Sequence, residues 1–137
     1  MTPDEVATYL AGAGLGLTLG VDLFDVPYPV LAQDRAVAID IYNSLPADRT
    51  FGPSLTQPLG EHPEFNVFVR DARGNDAAAK TLAYAVFRKL DFLGPVTLSG
   101  VLYRDIRAIG GEPKFLAFDD NQRPVYSMTF LCDKNPS

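Results

Sequence analysis

A chain of 137 residues with 47% hydrophobic and 21% charged residues is long enough to bury its own core and short enough to be one domain. Its net charge of −5 argues against a surface that grips nucleic-acid phosphates, and its one cysteine, Cys132, excludes an internal disulfide and suits a reducing compartment. No apolar run is long enough to span a membrane, and no basic, apolar leader opens the chain.

The charge is uneven. Residues 1–64 carry nine acids and two arginines, net −7, whereas residues 65–137 carry ten bases and eight acids, net +2. That asymmetry lets the acidic part of one copy meet the basic part of another, and it equally fits two ordinary solvated faces.

In chain order, Thr2-Pro3-Asp4-Glu5 reads as a capping box that opens a short helix over 3–12, with Val6, Ala7, Tyr9 and Leu10 inward. Residues 17–24 alternate Leu17, Leu19, Val21 and Leu23 with Thr18, Gly20 and Asp22, which predicts a half-buried strand. Residues 36–42 alternate again, with Val37, Ile39 and Ile41 on one side and Asp40 on the other. The stretch 44–64 holds four prolines and no sustained period, and predicts a long loop or irregular hairpin. A strand follows over 64–71, with Phe65, Val67 and Val69 inward.

The pattern organising the whole is a helix over 76–93. Ala79, Leu82, Ala83, Val86, Leu90 and Leu93 form its apolar stripe, Asn75 is its candidate cap, and Gly94-Pro95 is its stop. Beyond it, 97–109 reads as one or two strands with a bulge or close approach at Gly100. Gly110-Gly111 reads as a turn, 114–118 and 125–133 as two strands joined by an Asp/Asn-rich turn, and 134–137 as a polar tail. The expected architecture is therefore a single α+β domain. A mostly antiparallel or mixed β-sheet is covered by the central helix (76–93) and the short N-terminal helix (3–12), with a long loop at 44–64.

Candidate chemistry is sparse. Gly12-Ala13-Gly14-Leu15-Gly16 follows a helix and precedes a strand, the reverse of what a dinucleotide-binding turn requires, so it reads as a helix end. Asp119-Asp120-Asn121 lacks the glycine and the acid that a calcium loop places sixth and twelfth, and reads as a hairpin turn. A Cys132–His62 pair is conceivable, but a buried inert thiol suits a cysteine in a strand of aromatics. Asp22, Asp40 and Asp105 lie on the polar phases of their strands, where outer-face charge is the simpler role than acid–base work. Arg104 and Arg107 beside Asp105 suggest a surface charge ladder. These patterns assign no catalytic, cofactor-binding or metal-binding residue.

From residue 64 onward the chain resembles the tail-terminator and tail-completion family of long-tailed bacteriophages and related tail-like particles. The resembling residues are FNVFVRDARGNDAAAKTLAYAVFRKLDFL and LSGVLYRDIRAIGGEPKFLAFDDNQRPVYSMTF. The ending runs Pro113, Phe115-Leu116, Asp119-Asp120, Arg123, Tyr126-Ser127 and Phe130. The order of elements before it is similar too, while 44–64 matches least.

The resemblance implies a virion structural protein, with neither cofactor nor enzymatic activity. Such a protein forms a homo-oligomeric ring, usually six copies. The ring caps the tail tube and meets the head-completion or connector protein, and it assembles in the host cytoplasm. DNA would pass through the lumen without specific binding, and no membrane would be involved. Alternatives are a connector adaptor, a tail-tube subunit, or a small cytoplasmic ligand-binding domain or enzyme with a pocket between sheet and helix.

Overall fold

The computed structural model describes residues 3–24, 34–48 and 60–134. Two helices and six strands follow one another as α1 (Pro3–Ala11), β1 (Leu23–Phe24), β2 (Ala36–Asp48), β3 (Gly60–Arg70), α2 (Asp76–Leu90), β4 (Val96–Leu98), β5 (Val101–Phe118) and β6 (Pro124–Lys134). This is the order the sequence predicts. The strands form one sheet in the order β1-β2-β3-β6-β5-β4, antiparallel throughout except for the short parallel pair β1–β2.

The apolar stripe of α2 is buried where its spacing puts it, through Ala79, Leu82, Ala83, Val86 and Leu90. Val6, Ala7 and Leu10 of α1 join the same core. Beneath them lie Val37 and Ile39 of β2, Phe65, Val67 and Val69 of β3, Ile106 of β5, and Met128 and Phe130 of β6. Phe65 and Phe130 are register partners with stacked rings, centroids 5.3 Å apart. Burying each large aliphatic here contributes about 1.5–3 kcal/mol.

Several boundaries differ from expectation for identifiable reasons. The strand expected over 17–24 shrinks to β1, because the Thr18 carbonyl accepts the amides of Val21, Asp22 and Leu23 at 3.0–3.2 Å. Asp22 Oδ1 accepts the Thr18 amide at 2.6 Å, so local bonds replace a ladder. Leu19 and Val21 are consequently exposed. Helix α1 stops at Ala11 rather than residue 12.

Helix α2 stops at Leu90, not 93. Phe92 turns to a φ of 56°, and Leu93 exchanges two backbone bonds with Ile106 of β5, at 2.8 and 3.1 Å. The sheet edge thus captures the last expected turn. Asn75 makes no side-chain cap; its carbonyl simply accepts the Ala79 amide at 3.0 Å.

Of the stretch 44–64, expected as a long loop or irregular hairpin, the described ends are paired strands. β2 runs to Asp48 and β3 begins at Gly60, paired through register shifts near Ile41/Asn43 and Leu45/Asp48. Pro46 lies within the second shift and Pro63 pairs with Ser44, and neither ends the ladder. Residues 49–59 lie outside the described residues, as does Thr2 of the expected capping box.

Two glycine positions also differ. Ser99 and Gly100, with φ of 49° and 81°, form the two-residue turn of the β4–β5 hairpin rather than a bulge. Gly110-Gly111 does not turn the chain back. The register steps from Ile109↔Thr129 to Lys114↔Ser127, so the glycines lie in a wide bulge inside β5. The close backbone approach is at Gly94, where a Cβ would lie 2.7 Å from the Arg104 carbonyl oxygen. Lys134, expected in a loose tail, ends β6 fully buried.

Candidate functional site

The residues singled out in the sequence are not gathered into one place. Asp22 is buried and paired with Arg35 at 3.0 Å, so it is not the exposed charge expected. Asp40 is exposed on β2, and Asp105 on β5 takes Arg107 Nε at 2.6 Å. The expected charge ladder extends across strands, because Arg104 donates to Asp133 Oδ1 of β6 at 2.7 Å.

Cys132 and His62 lie on opposite faces of the sheet. Cys132 alternates with Phe130 on the helix-covered side, while His62 Nδ1 lies 4.0 Å from Asp133 Oδ1 on the other. Burial pushes the Cys132 thiol up to about 12, which leaves it protonated and inert. Among the described residues, no three His, Cys, Asp or Glu side chains come together as a metal site would need.

Asp119 does the turn work its composition suggests. Its Oδ1 accepts the amides of Asn121 and Arg123, both at 2.9 Å, and its Oδ2 accepts Arg123 Nε at 2.7 Å. Burial tends to raise this carboxyl. The Arg123 amide and guanidinium and the Asn121 amide outweigh that and hold it below the usual carboxylate value. Arg123 also reaches Asp34 at 3.2 Å, which ties the β5–β6 turn to the residues before β2.

One polar cluster escaped the sequence. Glu5 on α1, assigned to a cap, is buried and accepts a hydrogen bond from the Tyr103 hydroxyl at 2.6 Å. The Lys134 ammonium lies 5.7 Å from the Tyr103 ring centroid. An acid, a tyrosine and a lysine from α1, β5 and β6 thus meet in the core. Spacing alone gives no signal for such a meeting, since Glu5 and Tyr103 are 98 residues apart. Two further links went unseen: Asp91 Oδ1 accepts the Ala108 amide at 2.8 Å, and the Tyr84 hydroxyl donates to Glu112 Oε2 at 2.9 Å. The second raises the Tyr84 phenol above its ordinary value and ties α2 to the β5 bulge.

Several large apolar side chains are presented outward. At the β5–β6 turn, Phe115, Leu116 and Phe118 are 47%, 56% and 51% exposed. Phe115 packs edge-on against Phe118 and Tyr126, with centroids 5.1 and 5.7 Å apart, so the tip is a preformed aromatic cluster. Phe92, just past α2, is 78% exposed. The sheet face away from α2 carries a shallow depression lined by Asn66, Phe68, Ile109, Leu116, Ser127 and Thr129. Thr129 Oγ1 bonds Asn66 Oδ1 across it at 2.6 Å. Open, mixed apolar and polar patches of this kind suit protein–protein contact better than enclosure of a small molecule.

No protein-family model matches the chain, and no curated protein matches it. A solved structure does. The chain is similar to one in the "Virion of native gene transfer agent (GTA) particle", with a TM-score of 0.62 and 20% sequence identity, over 96% of this chain and 94% of the other. At that identity the likeness establishes the shared fold. No helix among the described residues is long and apolar enough to cross a membrane.

Proposed function

We propose that this protein is a structural component of a phage or phage-like virion. Its copies form a ring, six in number, that caps the end of the tail tube and joins the tail to the head connector. The observation that carries this is the fold shared with a chain of a gene transfer agent virion along nearly the whole length of both. The surface agrees in kind, with an exposed aromatic tip on the β5–β6 hairpin and an open sheet face. The protein acts by shape and fit rather than by turnover, in the virion at the head–tail interface, after assembly in the host cytoplasm.

DNA passes through the ring without specific binding, because a net charge of −5 gives phosphates no general attraction. Glu5, Asp22 and Asp34 are engaged within the subunit by Tyr103, Arg35 and Arg123. The test is electron microscopy of particles made without this protein. Overlong or headless tails are the expected result, and normal infectious particles would refute the role.

A further inference from the structure

Both described helices lie on one face of the sheet, and among the described residues no helix lies on the opposite face, which carries the depression lined by Ile109, Leu116 and Thr129. Beside it stand Asp40, the register partner of Asn66, and Glu64, two residues before Asn66 on β3. Neither has an ion-pair partner among the described residues. The outer face of α2 carries the opposite sign. Lys80, Thr81, Tyr84 and Arg88 line a depression there, with Lys80 and Arg88 each 5.9 Å from the Tyr84 ring. Lys80, Arg88 and the adjacent Lys89 are exposed and likewise have no carboxylate partner among the described residues.

We infer that the outer face of α2 in one copy seats on the open sheet face of the next, with Lys80 and Arg88 meeting Asp40 and Glu64. This contact rests on the ring-forming role proposed above and gives it an interface. Three observations favour a second copy as the occupant. Lys80 and Arg88 lie on one surface of the subunit and Asp40 and Glu64 on another, so each copy offers both halves. A two-fold contact of either surface with itself would set like charges against each other, whereas a head-to-tail contact matches them and leaves a free half to carry the chain of subunits onward. The spans also agree. Two turns of helix separate Lys80 from Arg88 by about 12 Å. One strand spacing and two residues separate Asp40 from Glu64 by about 8 Å, a gap that long basic side chains cover easily.

The test is charge exchange on the full chain, read by sedimentation velocity and native mass spectrometry over a range of concentration and salt. Lys80→Glu with Arg88→Glu, and separately Asp40→Lys with Glu64→Lys, turn attraction into repulsion. Each pair should weaken self-association roughly tenfold or more, about 1.4 kcal/mol, with the deficit shrinking as salt screens it. All four changes together restore complementarity and should recover association, as should an equimolar mixture of the two double variants. Circular dichroism confirms that each variant is folded. Double variants that associate like the wild type would overturn this contact. So would a quadruple variant no better than the doubles, or a wild type that stays monomeric at every concentration reached. None of these results bears on the virion role, which the deletion particles decide separately.

Discussion

The bond between Tyr103 and Glu5 ties the N-terminal helix to β5, and removing it is a sharp test of how that helix is held. Tyr103 is fully buried, Glu5 is 6% exposed, and the hydroxyl lies 2.6 Å from Oε2. Tyr103→Phe keeps the ring and its packing and deletes one oxygen, so the cavity term is small. What remains is the cost of a buried acceptor deprived of its donor, roughly 1–3 kcal/mol. For a chain of this length each kcal/mol moves the midpoint by about 3–5 °C, so Tm should fall by roughly 3–15 °C. Glu5→Gln keeps an acceptor oxygen at the same place and should lose less. Thermal and urea unfolding followed by circular dichroism measure both. A Tyr103→Phe variant that melts with the wild type would show that α1 is anchored by its apolar residues alone.

Gly94→Ala forces a Cβ to 2.7 Å from the Arg104 carbonyl at a φ of 132°, so it should lower stability by about 2 kcal/mol or more; an unchanged urea midpoint would contradict that. Cys132, with its thiol pushed up to about 12 by burial, should resist thiol reagents at pH 8 in the native protein and react once unfolded; rapid native labelling would contradict this. Asp119 has a folded value below its unfolded one of about 3.9, so its contribution is complete above that value and is lost as pH falls through the folded value. The stability gap between wild type and Asp119→Asn should therefore be widest near neutrality and narrow on acidification. A gap that does not change with pH would show that the charge on Asp119 is not what its turn uses.

What periodicity could show, it showed. The stripe of α2 and the inward set of β3 follow from residues spaced three, four or two apart, because those spacings decide which face is buried. Departures cluster where one local bond or one pairing partner decides. Asp22 has the alternation of a strand residue, yet its carboxylate captures the Thr18 amide and folds the segment into a turn. Leu93 has the spacing of a helix residue, yet Ile106 offers it two backbone bonds. Gly110-Gly111 has the composition of a turn, yet β6 keeps pairing past it, which only the partner strand could reveal.

The surfaces were less legible still. An exposed Leu116 and a buried Met128 are both large apolar residues in strands, and only the packed sheet distinguishes them. Lys134 was hidden for the complementary reason, since a lysine near a chain end gives no sign that a tyrosine ring and the core await it.

The proposed role makes this chain one member of a ring at the head end of a tail tube. A cryo-electron microscopy map of the intact particle tests it most directly. Six copies of this fold around the axis between tube and connector, each touching the next through different surfaces, are the expected result. Density for the fold repeated along the tube, or no density for it anywhere in the particle, would contradict it.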